Sequence, residues 1–186
     1  MNLVSYFQTI VPLSPTAQDA LEALITTSTY RKNDIIQEIG STCRTLYMVK
    51  SGCARIFYWK DSNDITEHFS FPNELIVRAE SLFTGKPTSK GIQAITDTEL
   101  YAIDSLVLFR LYDQHHDIER LFRILFEQEY VNTIKRIESL QFHSAKERYL
   151  ELLKSTQYVQ HIPLKYIASY LGITQVSLSR IRADIS

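Results

Sequence analysis

Apolar and polar positions follow two different periods along this 186-residue chain, and the changes of period mark its organisation. Ser14-Pro15 suits a helix start, with serine as cap and proline in the first turn, and Ala20, Leu21, Leu24 and Ile25 then recur at helical steps. From Ser28 the chain breaks into short runs of strand-forming residues. Turn signals separate them: Lys32-Asn33-Asp34, Gly40-Ser41, Lys50-Ser51-Gly52, Lys60 to Asp64, Phe71-Pro72-Asn73 and Thr96-Asp97-Thr98. The runs 46–49, 54–59, 67–71, 91–95 and 99–103 are predicted strands. A spacing of roughly ten residues per strand is the rhythm of an all-β sandwich, barrel or roll.

At Asp104 the period changes to helical. Asp104 can cap a short helix through Tyr112, and Asp117 can cap a long one to about Leu140, with Leu121, Ile124, Leu125, Tyr130, Val131, Ile134, Ile137 and Leu140 as its apolar stripe. A helix of that length spans ~35 Å at ~1.5 Å per residue. It either runs past its own domain to pair with a second copy or packs along its own β-domain. Ser144 and Glu147 form a capping-box pattern for a further helix, broken near Ser155-Thr156-Gln157.

The most informative stretch is Pro163 to Ser186. Pro163 fits a helix start, Gly172 the left-handed residue that ends that helix, and Thr174 the cap of the next. Ala168 allows close crossing, and Ile167, Leu171, Ile173, Leu178 and Ile181 supply a shared core. Gln175, Ser177, Ser179, Arg180 and Arg182 are left mainly exposed. This is a helix-turn-helix pattern, whose second helix would lie in the major groove. Glutamine can read adenine, arginine guanine, and serine bases or phosphate. An αα-hairpin used only for packing is the alternative.

Charge supports a polyanion partner for this end. Net charge is −1 overall, but residues 1–140 carry −4 and residues 141–186 carry +3. Composition is that of a globular protein, 45% apolar and 22% charged, with no run approaching a membrane span. No secretory signal is visible in Met1–Val11, and Cys43 and Cys53 are too few and too far apart for a CxxC pair or cluster, so a cytoplasmic setting is expected. His115-His116 lacks ligand spacing and His68 beside Glu67 reads as a surface pair, so no metal is expected. No nucleophile elbow, P-loop or paired-carboxylate motif is present, which argues against an enzyme.

Residues along nearly the whole chain resemble the cyclic-AMP receptor/fumarate–nitrate regulator (Crp/Fnr) family. Tyr30 to Ile36, Gly40 and Leu46 to Ile56 look like the opening strands of a cyclic-nucleotide-binding domain, with Asn33 where a glycine is usual. Asparagine tolerates a left-handed turn position, so the turn is kept. Pro163 to Ile173, followed by Leu178 to Arg182, look like short Bacteroidetes-type members. The resemblance implies an α+β chain: an N-terminal cyclic-nucleotide-binding-like β-roll (a double-stranded β-helix) over 1–116, a dimerisation helix over 117–140 and a helix-turn-helix over 141–186. It implies a homodimer on a two-fold operator, with RNA polymerase as a further partner.

Transferred residue by residue, the ligand pocket would involve Arg78, Glu80, Thr88, Ser89 and Thr133. The family's phosphate-binding Arg-Ser pair looks like Thr88-Ser89 here, so the arginine is missing, and Arg78 or Lys90 would have to substitute. Tight cyclic-AMP binding is therefore not expected. Any effector would be a different, unidentified small molecule, and no cofactor is implied. The DNA-reading set would be Lys165, Thr174, Gln175, Ser177, Ser179, Arg180 and Arg182, on and beside the 174–184 helix. Gln175 and Val176 stand where the cyclic-AMP receptors carry an Arg-Glu pair. The six residues after Arg180 leave no β-wing, so phosphate contacts should lean on Lys165, Arg182 and Lys146 or Arg148. The expected function is a dimeric, DNA-binding transcriptional regulator. The rival reading is a nucleotide- or metabolite-binding module whose C-terminal helices mediate protein contacts.

Overall fold

The computed structural model describes residues 2–185. Two four-stranded antiparallel sheets face each other as a roll. In chain order the strands are β1 (Thr26–Tyr30), β2 (Ile35–Gln37), β3 (Thr45–Ser51), β4 (Ala54–Lys60), β5 (Asn63–Ser70), β6 (Leu75–Ile76), β7 (Gly91–Ala94) and β8 (Thr98–Asp104). One sheet runs β1-β8-β3-β6 and the other β2-β7-β4-β5. The turns carry the residues their geometry demands. Asn33 sits at φ 74°, as the asparagine-for-glycine reading requires, and Gly40 and Gly52 at 86° and 87°. Val49, Ala54, Ile56, Ile76, Ile92 and Leu100 fill the space between the sheets.

The helices are α1 (Leu3–Ile10), α2 (Pro15–Leu24), α3 (Ala79–Thr84), α4 (Ser105–Tyr112), α5 (His116–Phe142), α6 (Ala145–Ser155), α7 (Leu164–Tyr170) and α8 (Gln175–Ala183), with a 3₁₀ turn at Gln157–His161. Ser14, Asp104, Ser144 and Thr174 cap the helices expected of them. Asp117 does not. The cap of the long helix falls two residues earlier, at His115, and the Asp117 carboxylate accepts from the Ser14 N–H at 2.7 Å instead. That bond ties α5 to the start of α2. Helix α1 is an addition to the sequence reading. Its Leu3, Val4 and Phe7 join Leu46, Met48, Leu121 and Phe122 in one core, with Phe7 edge-on to Phe122 at 5.7 Å.

The C-terminal segment is not hung on a free linker. Cys53, Phe69 and Ile95 of the roll share a cluster with Tyr149, Leu152, Val159, Tyr166, Ile167 and Leu178. The interior therefore continues from the roll into the helix-turn-helix.

Candidate ligand cavity and nucleic-acid interface

A cavity of about 700 Å³ lies between β5, helix α3 and the middle of α5. This size suits a small organic molecule. Of the residues expected to line a pocket, Arg78, Glu80 and Thr133 do so. Thr88 and Ser89 lie outside it. The Thr88 backbone bonds to Gly40 and Ser41, and its hydroxyl accepts from the Lys90 N–H at 3.2 Å. The Thr133 hydroxyl turns back to its own helix and donates to the Glu129 carbonyl at 2.9 Å.

Arg78 is the buried cation of the cavity, only 6% exposed. Its Nη1 donates to Glu67 Oε1 at 3.3 Å, and its Nε finds no acceptor among the described residues. Glu67 Oε2 also pairs with Lys90. Burial pushes the Glu67 carboxyl up, but Lys90 and Arg78 outweigh it and hold the group below its ordinary range. His68, beside it on β5, is half-buried and lines the cavity rather than sitting on the surface as expected. Desolvation pushes its imidazole down to about 4, against the attraction of Glu67 and with the help of Arg136 and Arg78. It is therefore neutral at pH 7. Across the cavity, burial and the neighbouring Glu74 raise the Glu129 carboxyl.

Two further arginines close the cavity toward the C-terminal helices. Arg136 of α5 stacks on Tyr170 at 3.8 Å and donates to the Tyr170 carbonyl. Arg148 of α6 donates to the Leu171 carbonyl at 2.7 Å and to the His143 carbonyl. Both cations thus cap the C-terminal end of α7, where carbonyl groups lack helical partners. This takes Arg148 out of the phosphate-contacting role expected for it.

The turn after α7 has the geometry of a Schellman motif. Gly172 is at φ 69°, the Ile173 N–H donates to Ala168 O at 3.0 Å, and the Gly172 N–H donates to Ser169 O at 3.1 Å. Thr174 Oγ1 then accepts from the Ser177 N–H at 3.1 Å and bonds the Ser177 hydroxyl at 3.0 Å, so both hydroxyls serve the cap of α8. Leu178 is wholly buried, which fixes the rotation of α8. At ~100° per residue, Arg180 and Val176 lie ~200° from Leu178, on the outer face, and Arg182 only ~40° from it. Gln175, Ser179 and Arg180 are exposed, Val176 is 63% exposed, and Lys165 projects from α7 with its ammonium 4.7 Å from the Tyr166 ring.

On its other side α7 is bolted to the roll. The Ser169 hydroxyl accepts from the Thr66 N–H at 3.0 Å. Arg55, 1% exposed, donates from Nη1 and Nη2 to Asp64 at 2.6 and 2.7 Å, from Nε and Nη2 to Gln93 Oε1 at 3.0 and 2.8 Å, and from Nη1 to the Thr66 hydroxyl at 2.9 Å. Its guanidinium lies between Phe57 and Tyr166. Sequence reading passed over Arg55, although a charged residue inside the apolar run 54–59 was the available signal.

Comparison with known proteins agrees with this architecture. Residues 27–115 match the cyclic nucleotide-binding domain model. Most of the chain shares the fold of solved structures that include a Crp/Fnr-family regulator. It aligns with FixK2 from Bradyrhizobium japonicum at TM-score 0.73 and 20% identity, over 87% of this chain and 84% of that one. A Eubacterium rectale protein assigned as a transcriptional regulator of the Crp/Fnr family aligns at TM-score 0.70 and 20% identity, over 91% and 82%. A CooA variant from Carboxydothermus hydrogenoformans aligns at 0.66 and 18%, over 88% and 77%. No curated protein matches the sequence. No helix among the described residues is long and apolar enough to cross a membrane.

Proposed function

We propose that this protein is a DNA-binding transcriptional regulator rather than an enzyme. It acts in the cytoplasm as a homodimer and reads a two-fold operator through the 174–184 helix. The observation that carries this reading is the geometry of α7 and α8. A Schellman turn and a buried Leu178 hold α8 so that Arg180 and Val176 face outward, beside Gln175 and Ser179. Arg180 supplies a bidentate contact to guanine and Val176 an apolar contact to a thymine methyl. Lys165 and the α8 N-terminus meet phosphate, with Thr174 and Ser177 framing that terminus and Arg182 at its far end.

The dimer axis runs along α5. Tyr130, Val131, Ile134, Ile137 and Leu140 form an exposed apolar stripe on this 27-residue helix. Such a stripe is covered by a second copy. The residues 1–116, 117–140 and 141–186 then serve as sensor, dimer helix and DNA reader. A small molecule in the cavity shifts the two dimer states through the Arg136 and Arg148 contacts to α7, with cyclic AMP not the favoured effector. RNA polymerase is the expected downstream partner.

Selection of random duplex DNA by the purified chain, at near-physiological salt, tests this. An enriched palindrome supports the reading. Failure to enrich any sequence, alone or with a panel of nucleotides and metabolites, overturns it.

A further inference from the structure

We infer that Glu67 is the specificity-determining residue of the cavity: by pairing with both Arg78 and Lys90 it excludes anionic ligands and sets the site for a molecule without net negative charge that offers a hydrogen-bond acceptor to Arg78 Nε. The inference rests on reading the cavity as a ligand site.

Three observations support it. First, most of the cations at the cavity are engaged, Lys135 and the Nε atoms of Arg78 and Arg148 being the exceptions among the described residues. Glu67 Oε1 meets Arg78 Nη1 at 3.3 Å and Oε2 meets Lys90, while Arg136 and Arg148 are spent on the Tyr170 and Leu171 carbonyls of α7. Second, the five carboxylates along the cavity lining equal in number its four bases taken together with Lys90, so an entering phosphate or carboxylate finds no surplus of positive charge. Third, the Arg78 side chain is 8% exposed, faces this cavity, and keeps an Nε–H with no acceptor among the described residues. A buried guanidinium donor without a partner is costly, and a carbonyl, ether or ring-nitrogen acceptor on a ligand would satisfy it. The adjacent Phe69, Phe71 and Tyr170 give the rest of the molecule an apolar, aromatic wall.

Glu67→Gln keeps the shape of the side chain and removes its charge. Titrating the full chain calorimetrically with cyclic AMP, as an anionic probe, should give no saturation for the wild type up to about millimolar concentration. The Glu67→Gln variant should gain at least about tenfold in affinity for it. Adenosine, the uncharged probe, should change by less than about threefold, and Glu67→Gln combined with Arg78→Met should lose the gain. Tight cyclic-AMP binding by the wild type would overturn the proposal. So would a variant that gains nothing, or one that gains equally for both probes and so acts through shape rather than charge. If circular dichroism shows Glu67→Gln unfolded, Glu67→Ala is read by the same criteria. DNA selection on the same wild-type sample separates the two claims. A palindrome without the charge effect sinks only the role of Glu67, and the charge effect without any DNA selection sinks only the regulator.

Discussion

The guanidinium of Arg55 lies 3.6 Å from the centre of the Tyr166 ring, so a buried cation of β4 is also the seat of α7. Its charge is met by Asp64, and its flat faces by two aromatic rings. The helix-turn-helix is thus oriented by the roll directly, as well as through α5 and α6. Arg55→Met should cost about 3–5 kcal/mol, the range for breaking a buried ion pair, and the lower end is expected because the Asp64 side chain is 20% exposed. Urea unfolding measures it. Arg55→Met combined with Asp64→Leu should recover part of the loss. An Arg55→Met chain as stable as the wild type would show that the pair adds nothing.

Two glycines of positive φ should behave differently when replaced by alanine. At Gly172 a Cβ would meet nothing closer than Leu140 at 4.0 Å, so only the left-handed backbone is penalised, by about 1–2 kcal/mol. At Gly52 a Cβ would lie 2.4 Å from the Asp97 carbonyl oxygen and 2.8 Å from Thr98 Cα, both backbone atoms that cannot swing aside. Gly52→Ala should therefore cost clearly more than Gly172→Ala in paired thermal melts. Equal losses would contradict this account of the β3–β4 turn.

The fold was legible where local chemistry decides it. The turn at Asn33, the caps at Ser14, Asp104, Ser144 and Thr174, and the Gly172 break are all local, and the structure uses each one. Helix α1 was not legible, because its pattern over eight residues is short and its apolar face is defined by a distant partner, Phe122. The cavity was half legible. Arg78, Glu80 and Thr133 could be named from a family pattern, but whether Thr88 reaches the cavity depends on a loop held by Gly40 and Ser41. The Glu67, Arg78 and Lys90 triad joins a strand, a helix cap and a loop. No spacing rule in a single sequence brings those three together.

His68 gives the chain a stability dependence on acidity. Its folded value of about 4 lies below the ordinary 6.5 because burial disfavours the imidazolium, and Arg136 and Arg78 add to that against Glu67. Over this window the unfolded chain binds the proton and the folded chain does not, so stability falls as pH drops from 6.5 toward 4. The loss is on the order of 2 kcal/mol, below the full linkage value because the ring keeps some contact with solvent. His68→Gln should flatten this part of the curve, measured as denaturation midpoint against pH. A variant with the same acid slope as the wild type would assign the slope to other groups.

The apolar stripe on α5 makes a prediction about assembly. Ile134 and Ile137 are 38% and 45% exposed in the single chain. Replacing an exposed isoleucine by glutamate changes the stability of a monomer by only about ±0.5 kcal/mol, whereas a charge in the middle of a helix pair is expensive. Ile134→Glu should convert a dimer to a monomer in sedimentation velocity while leaving circular dichroism unchanged. A wild-type chain that sediments as a monomer at micromolar concentration removes the proposed dimer axis.

Arg180 and Lys165 should fail in different ways on DNA. Arg180 lies opposite the buried Leu178, on the face of α8 proposed to meet base edges, so Arg180→Ala should cost about 1–3 kcal/mol on the selected operator and little on random duplex. Lys165 is exposed on α7 beside Tyr166 and is proposed to contact the DNA backbone. Lys165→Ala should weaken both DNAs alike and lower the salt slope by about one. Fluorescence anisotropy over a salt series reads both effects together. The contrast is diagnostic because an αα-hairpin that only packs against protein would leave neither difference. If Lys165→Ala alters sequence preference while Arg180→Ala only shifts the salt slope, α8 does not lie with its outer face in the groove, and the assignment of the reading helix must be reversed.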